Sequence, residues 1–308
     1  DGTRFITATD VADVRVWDAI LGLPLGALIQ HQSQISSACF NPDGTRILTA
    51  GLSGTVKVWT AATGRPLGIP LPHQGRVVHA DFQPDGSRLV TLAGDTAQFW
   101  DAGTGQPLAT MKSEGPLRSS RFSPDASRLL LLSEKAAQVW TVATSKPFGD
   151  ALKFEKPILH GWLSSNGTRL ITIFKDTHEV WDVASGKLLG SRKESMARRA
   201  GLNSDGTRAF SLSYNKTEVW QVEGAKLLGP PISHEQRFDE ARFHPDGLHL
   251  SILSSDTAQV FDIASGKAAR APFLRKDAAD PLDALADDSR DARTDGEISQ
   301  IFSSDPAE

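Results

Sequence analysis

The chain has 308 residues, 39% hydrophobic content and a formal net charge of −4 at pH 7. That balance does not describe a general nucleic-acid binder, which is normally basic, and a single cysteine, Cys39, excludes an internal disulfide. No apolar run reaches the roughly 18 residues a membrane span requires.

In chain order, one phrase recurs from end to end. It opens on an Asp-Gly turn at Asp1-Gly2, and its first copy closes on Trp17. The fullest copy runs from Asn41 to Gly68, NPDGTRILTAGLSGTVKVWTAATGRPLG. The closing aromatic falls at Trp17, Trp59, Trp100, Trp140, Trp181, Trp220 and Phe261, in steps of 42, 41, 40, 41, 39 and 41 residues. The opening turn keeps the same beat at Asp43-Gly44, Asp85-Gly86, Asp125-Ala126, Asn166-Gly167, Asp205-Gly206 and Asp246-Gly247. A period of about 40–45 residues with four strands per unit marks a propeller blade. The length would admit two domains, but an unbroken repeat argues for one.

Within each copy the pattern predicts four strands. An inner strand precedes the turn, as in Ile35–Phe40, Val77–Phe82 and 240–243. The Asn41-Pro42-Asp43-Gly44 turn follows from Pro presetting φ and Gly accepting left-handed geometry. The second strand is a short apolar run, as in 47–49, 89–92, 129–132 and 170–173, which fits burial on both faces. The third strand runs to the aromatic, and a Thr-Gly or Ser-Gly turn leads to an outer strand bearing Pro66, Pro107, Pro147 or Pro272. Pro is tolerated at a sheet edge, where its missing N–H breaks no ladder bond.

Trp17-Asp18, Trp100-Asp101 and Trp181-Asp182 carry a dipeptide by which the chain resembles the WD-repeat β-propeller family, and its phrasing resembles the bacterial branch. The resemblance spans residues 1 to about 274. It implies an all-β fold, a seven-bladed β-propeller of four-stranded antiparallel blades, with eight blades the weaker alternative. The repeats lie near 1–40, 41–82, 83–122, 123–163, 164–202, 203–243 and 244–274. In the family a His bonds a Ser or Thr on the second strand, an Asp in the next turn and the Trp indole. Only the third unit offers all four types, as His73, Thr91, Asp95 and Trp100. Phe261 has no indole N–H to donate, so some blades are expected to be held by packing alone.

The first unit lacks its inner strand. Residues 279–285 align with an inner strand and are expected to close the ring, and 286–308 to form an acidic, disordered tail. The chain opens without Met and inside a turn, which reads as a fragment or processed form.

Enzyme motifs are absent: there is no phosphate-binding Gly-x-x-x-x-Gly-Lys loop, His-Glu-x-x-His, paired-Cys spacing or Gly-x-Ser-x-Gly elbow. His31, His73 and His234 read as channel ligands or as groups orienting turns. The repeated Asp43, Asp85, Asp125, Asp205 and Asp246 read as turn formers rather than converging calcium ligands. Cys39 reads as a small buried hydrophobe, and Trp162 as packing or a channel contact. Arg192, Lys193, Arg198 and Arg199 crowd one loop; they form either a solvated loop or a patch for an acidic or phosphorylated peptide, since arginine pairs carboxylate and phosphate bidentately. The acidic stretch from Asp277 to Glu297 is a candidate cover for that patch.

The reading is a non-catalytic scaffold for a protein or peptide partner, with no cofactor, no metal, no nucleic acid and no membrane, expected to be monomeric and cytoplasmic. The loops expected to bind are Gln74–Arg76, Arg192–Arg199 and Glu235–Arg237. The alternatives are a regulatory module of a larger bacterial protein, such as a serine/threonine kinase, and an enzyme with its site in the channel.

Overall fold

Each phrase of about forty residues folds as an antiparallel meander. The computed structural model describes residues 2–9, 12–193, 199–213, 216–233, 238–254, 257–270 and 273–274. Among them the only helix is a single 3-10 turn at Glu223–Ala225. The strands form seven antiparallel sheets, the blades of a β-propeller.

Blade 2 shows the plan: inner strand Ile35–Phe40, second Arg46–Gly51, third Thr55–Thr60 and outer Pro66–Pro72. Blade 3 repeats it with Val77–Phe82, Arg88–Ala93, Thr96–Asp101 and Pro107–Lys112. In blade 4 the inner three strands are Leu117–Phe122, Arg128–Ser133 and Ala136–Thr141, and the outer strand is split into Lys146–Pro147 and Leu152–Lys153. Blade 5 comprises His160–Leu163, Arg169–Ile173, Thr177–Asp182 and Leu188–Lys193. Blade 6 comprises Arg199–Leu202, Arg208–Leu212, Lys216–Gln221 and Ile232–Ser233; blade 7 comprises Phe238–Phe243, His249–Ser254, Thr257–Asp262 and Phe273–Leu274. Blade 1 has only Arg4–Ala8, Asp13–Asp18 and Pro24–Gln30 among the described residues. The expected closing strand 279–285, the tail 286–308 and Pro272 lie outside the described residues.

The core lies between blades rather than within them. Val14, Val16 and Ile29 of blade 1 pack on Ile47 and Trp59 of blade 2. Cys39, Leu48 and Val56 of blade 2 pack on Phe82, Leu89 and Trp100 of blade 3. The repeated aromatic thus faces the preceding blade. Its cross-strand partner shares that face: Ile47, Leu89, Leu129, Leu170, Ala209 and Leu250 are each 0% exposed. The equivalent Phe5 of blade 1 is 43% exposed, stacked on Trp17. Phe5 and Trp17 mark the face of blade 1 turned away from blade 2.

The repeated aspartates fix turns. Asp43 Oδ1 accepts the Thr45 N–H at 2.7 Å, Asp85 the Ser87 N–H at 2.9 Å and Asp205 the Thr207 N–H at 2.8 Å. The following glycine sits in the left-handed region, at φ +67° for Gly44. Blade 4 has Ala126 at this place, and it is forced to φ +57°. The Asp after Trp caps the other turn: Asp101 Oδ1 accepts N–H bonds from Gly103 and Thr104 at 3.0 and 2.7 Å. The arginine that opens the second strand reaches the next blade, as Arg46 Nη1 to Ala102 O at 2.9 Å and Arg88 Nη1 to Val142 O at 3.1 Å.

Candidate functional site on the inner strands and the variable loop face

Because each blade is a meander, its loops divide between two ends. The turns joining inner to second and third to outer strands share one end, and these are the aspartate turns just described. The loops from an outer strand to the next inner strand share the other end with the second-to-third loops. Among the described residues this second end has no aspartate turn repeated from blade to blade: its connecting segments include His73-Gln74-Gly75-Arg76, Ser113-Glu114-Gly115-Pro116 and the longer 154–159.

The polar residues behind it are partly structural. In blade 3 the Trp100 indole donates to Thr91 Oγ1 at 2.8 Å, and the Thr91 hydroxyl stands 2.7 Å from His73 Nε2. His73 Nδ1 lies 3.0 Å from Leu71 O. A carbonyl only accepts, so Nδ1 carries the proton and Nε2 accepts from Thr91. Burial lowers the His73 pKa, which suits a neutral ring. Asp95 is not part of this chain; it accepts from the Thr96 hydroxyl at 2.9 Å. The indole-to-threonine bond recurs as Trp17 to Thr7, Trp59 to Thr49 and Trp181 to Thr172, at 2.8, 2.8 and 3.1 Å. The Trp140 and Trp220 indole nitrogens have no partner, and Phe261 has none to offer; packing holds those aromatics.

The inner strands carry the other polar set. Their alternate positions fall into two classes. Those facing the preceding blade repeat a type: Phe40, Phe82, Phe122, Leu163, Leu202 and Phe243 occupy one register position, next to Ile47, Leu89 and their equivalents. The position before it is occupied by Cys39, Asp81, Arg121, Trp162, Gly201 and Arg242. Two residues earlier stand Ser37, His79, Ser119, His160, Arg199 and Glu240. The fold demands little of these positions: among them Arg stands three times, His and Ser twice each, and every other residue type once.

They touch both from blade to blade and along a strand. Cys39 Sγ lies 3.6 Å from Asp81 Oδ1. The Arg121 guanidinium carbon lies 5.2 Å from the centroid of Trp162, and the His160 ring 5.5 Å from that indole. Glu240 and Arg242 pair at 2.6 Å. Asp81, His79, Arg121 and Trp162 are each partly exposed. Burial raises the Asp81 pKa to about 6 despite the Phe82 N–H at 2.8 Å. Burial, then the charge of Arg121, lowers His79 to about 4. Burial and the Asp81 charge push the Cys39 thiol up, so this buried thiol is not a ready nucleophile.

The expected partner-binding residues do not form one patch. Gln74 and Arg76 are exposed on the loop face, as is Lys193 at the end of the outer strand of blade 5. Arg192 is turned into the blade 5–6 interface, where it binds Glu218 at 2.8 Å and Ala225 O at 3.1 Å. Arg199 stands on the channel side of blade 6. Arg198, Glu235, Arg237 and His234 lie outside the described residues. Trp162 is half-buried, with Arg121 over one side of its ring. Sequence reasoning missed Arg121, His79 and His160; the signal was their register with Cys39 and Ser37, legible once the repeats are aligned strand by strand.

Among the described residues no group of three or more His, Cys, Asp or Glu is placed to hold a metal ion. No helix is long and apolar enough to cross a membrane.

Residues 22–60 match the family described as WD domain, G-beta repeat. That match spans one repeat and supports a WD-repeat family. Among solved structures, the crystal structure of the computationally designed Ika8 protein is similar with a TM-score of 0.67 and 20% identity, covering 89% of this chain and 84% of that one. At that identity the likeness speaks to the fold. No curated protein matches the chain.

Proposed function

We propose that this propeller is a non-catalytic protein-interaction platform that receives a peptide partner on its variable loop face, over the channel mouth. The observation that carries this reading is the asymmetry between the two ends. One end spends its polar groups on near-identical aspartate turns. The other presents loops that differ from blade to blade, above inner-strand positions that differ too. A rigid scaffold holding varied loops is the arrangement in which loops carry function. WD repeats and the propeller fold favour the same class of activity.

Peptide-array binding by the full chain tests it. Arg76→Ala and Lys193→Ala, both on the loop face, are expected to weaken capture of acidic peptides. Arg65→Ala, exposed on a turn at the opposite end, is expected to leave it unchanged. Equal losses from both ends, or no peptide bound at all, would remove the reading.

A further inference from the structure

Three neighbouring inner strands carry two arginines and an aromatic pair at matching register positions. Arg121 comes from blade 4, Trp162 and His160 from blade 5, and Arg199 from blade 6. The Arg121 guanidinium carbon lies over the Trp162 ring, 5.2 Å from its centroid and within cation–π range. Neither arginine has a hydrogen bond or close ion pair among the described residues. They are near enough that the charge of Arg199, after burial, lowers the pKa of Arg121.

The opposing charge nearby is insufficient. Asp81 faces Arg121 from blade 3 and supplies one negative charge against two positive ones. Glu240 is already committed to Arg242 at 2.6 Å. His79, close to Arg121, is neutral and leaves its Nε2 buried without a partner. Half-buried guanidinium groups held together without acceptors carry a desolvation cost that an anionic acceptor offsets.

We propose that the Arg121–Trp162–Arg199 cradle binds the oxyanion group of a peptide partner, a side-chain carboxylate or a phosphoryl group, entering the channel from the loop face. The proposal rests on the platform reading and adds its chemistry: the loops admit the partner and the cradle anchors its charged group.

The test is a titration of the full chain at low ionic strength, where charge pairing is least screened, with acetate and with inorganic phosphate as probes. The readout is the indole N–H resonance of Trp162, assigned by its loss in Trp162→Phe. A saturable shift with at least one ion is expected. Arg121→Met and Arg199→Met are each expected to weaken it at least ~10-fold, the loss of one charge-assisted hydrogen bond. Response to acetate alone assigns a carboxylate anchor, and response to phosphate alone a phosphoryl anchor. The other six indole resonances report whether each variant is folded. Should Arg121→Met fail to fold, Arg121→Lys, which keeps the charge and loses the planar fork, carries the test with Arg199→Met. No saturable shift with either ion, or a shift that survives both methionine variants, overturns the cradle. Peptide capture that persists in the double variant also overturns it and leaves the platform standing. Ion binding without any peptide capture leaves the anion site and removes the platform.

Discussion

Thr91 is the hinge of the only complete histidine–threonine–tryptophan chain among the described residues, and Thr91→Val removes its hydroxyl with almost no change of shape. Thr91 is 0% exposed and accepts from Trp100 at 2.8 Å while facing His73 Nε2 at 2.7 Å. The substitution strands one buried donor and one acceptor, each costing roughly 1–3 kcal/mol. The added methyl returns about 1 kcal/mol, and water reaches the half-buried His73. The expected net loss is about 2–3 kcal/mol. Blade 2 contains the control. Thr49 accepts from Trp59 at 2.8 Å, but His31 Nε2 there has no partner. Thr49→Val therefore loses one bond instead of two and is expected to cost about 1 kcal/mol, half or less of the Thr91 effect. Urea unfolding measures both, with hydrogen exchange of blade 3 as a second probe because long repeat arrays can unfold in parts. A double-mutant cycle with His73→Ala isolates the Thr91–His73 contact and is expected to show about 1 kcal/mol of coupling. Equal losses at Thr91 and Thr49, with no coupling to His73, would refute the chain as a source of stability.

Four further outcomes follow from other parts of the fold. Ala126→Gly, at φ +57°, is expected to stabilise by about 1 kcal/mol in urea unfolding, since the left-handed region penalises a Cβ; destabilisation would count against strain there. Arg192→Ala leaves the buried Glu218 with Lys216 alone and is expected to cost about 1–2 kcal/mol in the same assay, while an unchanged midpoint would make the pair a surface one. Stability is expected to fall as pH drops from 7 to 4. His31, His73, His79 and His178 all have lowered pKa values, chiefly from burial, so their contribution is full above about pH 6.5 and lost on the way down. Asp81, raised to about 6, opposes this because its contribution grows as pH falls through 6; a melting temperature that rises on acidification would show that Asp81 outweighs the four histidines. Removing residues 275–308 is expected to lower the melting temperature if they cover the exposed Phe5 face of blade 1, and an unchanged melt would exclude that role.

The amino-acid sequence by itself determined the blades. A 39-to-42-residue beat, a closing aromatic and an aspartate turn are local properties, because strand, turn and cap chemistry act over a few neighbours. Ile35–Phe40 and Val77–Phe82 were readable to the residue for that reason. Whether a histidine meets a threonine was not: His31 and His73 begin similar segments, yet only His73 completes its bond. Arg192 and Lys193 read as parts of one basic loop, but they end the outer strand of blade 5, whose period of two turns one into Glu218 and the other to solvent. The channel is the clearest case. Asp81, Arg121 and Trp162 stand about forty residues apart and carry no common motif. Only the side-by-side standing of the blades brings them together, because in a propeller the contacts that matter lie between repeats, where chain separation and spatial distance part company.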